Sequence, residues 1–147
     1  MAGFVGPEIP GITDGLVVYY DAALTYTSGD TTWYDAIGNN NATLNNGPTF
    51  STDGRGNIVF DGSNDYADTG YTLPAQSSTT MFSWNLWIYK PHTGNNNNVI
   101  FGNRYSGNSG TQFVKLTSSQ FEYYPGTHQS ISYSIPGNQW INICLVK

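Results

Sequence analysis

The run FSWNLWIY at residues 82–89 decides the fold class, because large apolar side chains recur at every second position in it. A β-strand points successive side chains to opposite faces, so a period of two indicates a strand with one face in the core. The predicted core face carries Phe82, Trp84, Leu86 and Ile88. The opposite face carries Ser83, Asn85, Trp87 and Tyr89.

Further short runs of β-branched and aromatic residues surround this strand and predict an all-β chain. They lie at residues 16–20, 42–44, 58–60, 99–101, 112–117, 120–124, 130–135 and 140–146. In the second half, strand starts recur about every 8–12 residues, which is the spacing of a sandwich or barrel. No window repeats apolar residues with helical spacing, so almost no helix is expected.

The composition excludes several classes of protein. The chain has 147 residues, of which 10% are charged and 15% aromatic, and its net charge is -5. Disordered chains combine few aromatic residues with many charges, and helical bundles are rich in glutamate, which occurs here only at Glu8 and Glu122. The acidic balance also disfavours a nucleic-acid partner. The length suits one domain.

Cysteine usage and the absence of a targeting segment predict a protein made in a reducing cytosol. The only cysteine is Cys144, which lies in an apolar run and is predicted to be a small buried residue. The N-terminal residues lack the basic and apolar regions of a signal peptide. No apolar run is long enough to cross a membrane, so no membrane insertion is expected.

Motifs of catalysis are lacking. A retaining glycosidase needs two carboxylic acids about 5–5.5 Å apart. Glu8 lies in the N-terminal arm and Glu122 has no acidic neighbour in its strand, although a pair of aspartates remains an alternative. His92 and His128 are interpreted as loop residues, and no serine lies in a nucleophile elbow. We assign no catalytic and no cofactor-binding residue.

The acidic segment at residues 61–68 (DGSNDYAD) has two interpretations. Asp61 and Asp65 are candidate oxygen ligands for Ca²⁺. The segment departs from an EF-hand loop, because Tyr66 stands where glycine is required and Thr72 where the last glutamate is required. The alternative is a turn in which Asp and Asn side chains bond to their own backbone.

Aromatic residues are the remaining signal of a binding function. The candidates for stacking on sugar rings or on a protein partner are Trp87, Tyr89, Tyr105, Tyr124 and Tyr133. Aromatic residues also fill the cores of β-proteins, because each buries a large apolar area. Most of the four tryptophans are therefore expected in the core.

Six segments, taken together and in order, resemble the concanavalin A-like lectin/glucanase superfamily and its laminin G-like branch. They are residues 14–22 (DGLVVYYDA), 32–40 (TWYDAIGNN), 44–50 (LNNGPTF), 58–66 (IVFDGSNDY), 82–87 (FSWNLW) and 139–143 (QWINI). The resemblance implies a jelly-roll sandwich of two antiparallel sheets. The chain is similar to the versions of this domain in tailed-bacteriophage virion proteins, which often begin with a short arm.

Residues 1–13 are rich in glycine and proline with little alternation, which predicts an extended arm, and the resemblance implies a laminin G-like domain at residues 14–147. The catalytic Glu-x-Asp-x-x-Glu motif of the glucanase members has no match here. In such domains, further strands follow the one that holds the counterpart of Trp140. We therefore expect that the natural chain continues beyond Lys147 or that a partner chain supplies these strands.

Three functions remain after these exclusions. The first is a structural or adhesion protein of a phage virion, in the capsid decoration, the tail or a fibre. Its partners would be other virion proteins, copies of itself and host surface polysaccharide, and it would need no secretion signal. The second is a carbohydrate-binding module, and the third is a glycoside hydrolase.

Overall fold

A computed structural model of the chain describes residues 14–72, 81–91, 98–103, 113–117, 119–124, 128–133 and 135–147. The chain forms two compact units, Met1–Thr72 and Leu73–Lys147, called here the N-terminal and the C-terminal unit. Within the described residues every strand pairs antiparallel, and the helical residues form one short α-helix and one 3-10 turn. The prediction of an all-β chain with almost no helix is confirmed. The predicted arm lies outside the described residues.

Short elements make up the N-terminal unit. They are α1 (Ala22–Thr25), β1 (Thr32–Trp33), β2 (Ala42–Asn45), β3 (Thr49–Ser51), a 3-10 turn (Asp53–Arg55), β4 (Asn57–Val59) and β5 (Tyr66–Asp68). Strands β1, β2 and β5 form one sheet in that order, and β3 pairs with β4. Asp21 caps α1, because its side chain accepts a hydrogen bond from the Ala23 N–H over 2.9 Å.

The predicted strand at residues 16–20 is wrong. The backbone of these residues forms hydrogen bonds with a loop rather than with a neighbouring strand. The Tyr19 N–H donates to the Asp35 carboxylate over 2.9 Å, and the Tyr19 carbonyl accepts from the Ala36 N–H over 2.8 Å. A β-branched run indicates an extended backbone, but it does not determine which residues its backbone groups form hydrogen bonds with.

The C-terminal unit contains two antiparallel sheets. Its strands are β6 (Ser83–Lys90), β7 (Asn98–Gly102), β8 (Phe113–Leu116), β9 (Gln120–Tyr123), β10 (Gln129–Ser132) and β11 (Gln139–Val146). Four of them form a sheet in the order β10-β9-β8-β7, and β11 pairs with β6. All six strands overlap runs that the sequence predicts, with small shifts at their ends.

Both sheets of this unit contribute to one apolar cluster. Leu116 of β8, Ile143 of β11 and Ile135 are buried at its centre. Partly buried side chains from both sheets pack around them: Leu86, Ile88, Ile100, Phe121 and Ile141. Alternate burial along β6 confirms the predicted assignment of its two faces. Among the described residues no helix is long and apolar enough to cross a membrane.

Candidate functional site

Two eight-residue strands, β6 and β11, pair along their whole length and present one face to solvent. The register places Trp140 opposite Tyr89 and Asn142 opposite Trp87. The side chains of alternate residues therefore share the outward side. We call the set the aromatic face, and it consists of Ser83, Asn85, Trp87, Tyr89, Trp140, Asn142, Cys144 and Val146.

Three large rings of the aromatic face stand in contact with solvent. Trp87 is 66% exposed, Tyr89 48% and Trp140 39%. The Tyr89 and Trp140 rings form a tilted pair, with centroids 5.7 Å apart and an interplanar angle of 59°. Single exposed apolar residues are ordinary, but a cluster of large rings on one face makes it a candidate binding surface.

Amide groups lie directly beside these rings. The Asn142 Nδ2 donates to the Asn85 Oδ1 over 2.7 Å and to the Leu86 carbonyl over 3.3 Å. Among the described residues, the Asn142 Oδ1 and the Asn85 Nδ2 have no hydrogen-bond partner. The aromatic face thus offers one acceptor and one donor to a ligand, next to the exposed Trp87.

The aromatic face carries no charged residue at any of its outward positions. Its chemistry is therefore suited to a neutral ligand rather than to a phosphate or a carboxylate. Cys144 also lies on this face and is exposed, so its predicted burial is wrong. The reason is the strand period, because the core positions on this strand are taken by Ile143 and Leu145.

The aromatic residues predicted from the sequence do not form one site. Trp87 and Tyr89 lie together on the aromatic face, and Trp140, which the sequence did not single out, completes it. Tyr133 is 55% exposed but follows a strand of the other sheet. Tyr124 is half-buried, and its ring lies 5.6 Å from that of Phe113. Tyr105 lies outside the described residues.

The candidate calcium segment folds as a turn that bonds to its own backbone. The Asp61 Oδ1 accepts from the Ser63 N–H over 2.8 Å and from the Asn64 N–H over 3.3 Å. The Asp65 Oδ2 accepts from the Asp61 N–H over 2.9 Å. The hydrogen bond from Ser63 is the main reason that the pKa of Asp61 is lowered. Within the described residues no three His, Cys, Asp or Glu side chains group as metal ligands.

Glu122, the one described glutamate, lies in an ion cluster of the four-stranded sheet. Its Oε2 is 3.4 Å from the Lys115 Nζ and 3.6 Å from the His128 Nε2. The side chains of Lys115 and Glu122 are only 14% and 13% exposed. This arrangement neutralises a carboxylate within the sheet, and we assign it a structural role. Glu8 and His92 lie outside the described residues.

Asp35 is a buried carboxylate that organises a loop of the N-terminal unit. It is 5% exposed and accepts hydrogen bonds of 2.9–3.2 Å from the backbone N–H groups of Tyr19, Ile37 and Asn40. Burial raises its pKa, but these hydrogen bonds outweigh burial, so the pKa lies below its usual value. All of its partners are backbone groups of the fold, which indicates a structural role.

Comparison of the chain with protein-family models, with curated proteins and with solved structures finds no match. The resemblance to the concanavalin A-like superfamily therefore stays a prediction that its sequence segments alone support.

Proposed function

We propose that the chain is a non-enzymatic structural or adhesion protein of a bacteriophage virion. In this proposal a lectin-like domain contacts uncharged glycans of a host surface through the aromatic face. The main support for a glycan contact is the exposure of one tryptophan ring. Trp87 keeps 66% of its surface in solvent next to the Tyr89–Trp140 ring pair.

The chemistry of the aromatic face supports a sugar ligand. A pyranose ring has an apolar C–H face that stacks on an aromatic ring and an equatorial rim of hydroxyl groups. Trp87, Tyr89 and Trp140 provide the stacking surface, and the amides of Asn85 and Asn142 can bond the hydroxyl groups. The lack of charge on this face favours neutral over acidic polysaccharide.

The jelly-roll sandwich and the virion location belong to the same proposal. The apolar cluster shared by the two sheets of the C-terminal unit is consistent with a sandwich. The resemblance of the six sequence segments to phage virion domains supports placement in a capsid decoration, a tail or a fibre. The proposed protein partners are other virion chains and further copies of this chain.

A glycan array tests the glycan contact. We expect the full chain to bind neutral oligosaccharides, and Trp87→Ala to reduce the signal at least about tenfold, because the most exposed stacking ring is lost. The matched control is Tyr66→Ala, which removes a 52% exposed ring from the N-terminal unit and is expected to leave binding intact. A repeat with a chelator tests the calcium candidates Asp61 and Asp65. An array without hits from the wild-type chain would contradict glycan binding and favour a purely structural role.

The unpaired edges of the β6–β11 pair support a structural role among virion chains. Within the described residues, neither outer edge of the β6–β11 pair adjoins another strand. Strand edges carry unpaired backbone groups that accept a further strand from a partner. Sedimentation of the full chain over a range of concentrations tests this role. Reversible self-association supports it, and a monomer at all concentrations argues against contact between copies.

A further inference from the structure

We infer that the N-terminal unit holds a second ligand site, a cleft that binds an uncharged mono- or disaccharide. The cleft has a volume of about 460 Å³ and lies between the turns at residues 28–31 and 46–48. Clefts of ≈ 300–1,000 Å³ are the usual size for small-molecule sites. This inference goes beyond the proposed function, because it concerns a different unit and a different set of residues.

An apolar surface lines one part of the cleft. Leu44 of β2 is 7% exposed and faces it. The rings of Tyr26 and Phe50 also line it, and their centroids lie 5.6 Å apart at an interplanar angle of 35°. Such a surface can pack against the C–H groups of a sugar ring, while it offers little to a strongly hydrated ion.

Polar side chains line the rest of the cleft. Asp30, Thr31 and Thr49 are exposed there. Among the described residues, no hydrogen bond or ion pair engages the Asp30 carboxylate or the two threonine hydroxyls. One carboxylate with two hydroxyl groups can accept from and donate to the hydroxyl groups of a sugar.

One side-chain hydrogen bond braces each of the two turns. The Tyr26 hydroxyl donates to the Asp30 carbonyl over 2.9 Å, and the Asn46 Nδ2 donates to the Asn64 carbonyl over 2.6 Å. Gly29 and Gly47 have φ angles of +94° and +98°, which favour glycine. A preformed site loses less conformational entropy on binding, so a small neutral ligand can bind measurably.

The charge of the lining narrows the class of ligand. The lining contains the acidic Asp30 and no lysine, arginine or histidine. Phosphates, sulfates and acidic sugars are therefore disfavoured by repulsion. Within the described residues no three His, Cys, Asp or Glu side chains group there as metal ligands. A neutral polyhydroxylated compound uses both the rings and the polar groups of the lining.

The experiment is an NMR titration of the ¹⁵N-labelled full chain with glucose, galactose and N-acetylglucosamine as separate probes. We expect at least one probe to shift the amide signals of Gly29 and Gly47 saturably, with one common Kd. The amides of Gly38 and Gly70, which do not line the cleft, should stay in place. If no probe gives saturable shifts at Gly29 and Gly47, the inference is overturned.

Substitutions of residues that line the cleft test whether the amide shifts of Gly29 and Gly47 report binding there. Asp30→Ala should weaken the binding about tenfold or more, because a hydrogen bond to a charged group is lost. Asp14→Ala, which removes an exposed carboxylate outside the cleft, should leave the Kd unchanged. If Asp30→Ala fails to fold, Thr49→Val removes a hydroxyl group while keeping the β-branched shape, and it should weaken binding as well. Unchanged binding in a folded lining variant would overturn the inference.

The same variants separate this site from the aromatic face. Trp87→Ala should leave the shifts of Gly29 and Gly47 unchanged, and Asp30→Ala should leave glycan-array binding through the aromatic face unchanged. If Trp87→Ala abolishes the shifts of Gly29 and Gly47, the cleft is not an independent site and the inference fails. A blank array with saturable shifts in the cleft would reject the aromatic face and retain the cleft.

Discussion

The two units are stabilised by different kinds of contact. Among the described residues of the N-terminal unit, the buried side chains are Ala22, Asp35, Ala42 and Leu44. In the C-terminal unit they are Phe113, Val114, Leu116, Ile135, Ile143 and Leu145. The first unit depends on a carboxylate and its backbone partners, and the second on large apolar side chains from two sheets. We therefore expect the first to respond to the loss of a charge and the second to the loss of volume.

The largest effect is expected from a cavity in the apolar cluster. Ile143→Ala removes a side chain that is 7% exposed, and it should lower the free energy of unfolding by about 2–5 kcal/mol. Denaturant unfolding followed by tryptophan fluorescence measures the change. Cys144→Ala on the next, exposed position is the matched control and should stay within about 0.5 kcal/mol. Equal effects of the two substitutions would contradict the assignment of the two faces.

A smaller effect is expected from the ion cluster, which is the polar exception in the C-terminal unit. Glu122→Gln leaves Lys115, whose side chain is 14% exposed, without its opposite charge. The free energy of unfolding should fall by about 2–3 kcal/mol. The double variant with Lys115→Met should recover part of the loss, because no unpaired charge remains. Additive losses in the double variant would show that the two side chains do not interact.

The charged loop of the N-terminal unit predicts a dependence on pH. Because the folded pKa of Asp35 lies below its usual value of 3.8, the unfolded chain binds more protons and stability rises with pH in this range. The stabilisation is present above that value and is lost as the pH falls through the folded pKa. Hydrogen-exchange protection of the Tyr19 and Ile37 amides should fall accordingly.

The Asp35→Asn variant is the control for this pH dependence. It should lose about 1–3 kcal/mol at neutral pH and show less change in protection on acidification. Protection of the Ile143 amide in the C-terminal unit should not follow the titration of Asp35. A wild-type chain whose Tyr19 and Ile37 amides keep their protection below the folded pKa would contradict the role of this carboxylate.

The smallest effect on stability is expected on the aromatic face. Trp87→Ala removes a ring that is 66% exposed, so the free energy of unfolding should change by about 0.5 kcal/mol or less. Thermal or denaturant unfolding measures it. A loss of several kcal/mol would mean that Trp87 stabilises the fold. Its position would then no longer support ligand binding by the aromatic face.

The contrast between the units also separates what was predictable from what was not. In the C-terminal unit a period of two fixes both the strands and their faces, as in residues 82–89. The same rule places Trp140 outward, because Ile141, Ile143 and Leu145 hold the core positions of its strand. The expectation that most of the four tryptophans lie in the core is therefore wrong: Trp87 and Trp140 are exposed, because register and not residue type decides which face a side chain takes.

In the N-terminal unit the sequence predicted less of the structure. Strands of two to four residues, such as Thr32–Trp33 and Tyr66–Asp68, are too short to show a period. Residues 16–20 have strand composition but bond to the loop at Asp35, a contact that depends on tertiary structure. The cleft unites residues from separate turns, so no local motif indicates it.

Glycan binding by the aromatic face is tested by calorimetry, which measures the affinity of the wild-type chain and of Trp87→Ala for one neutral oligosaccharide selected on the array. We expect Trp87→Ala to bind at least about tenfold more weakly, while Tyr66→Ala, in the N-terminal unit, should bind as the wild type does. Equal affinity of the wild type and Trp87→Ala would contradict the claim that the aromatic face binds the glycan.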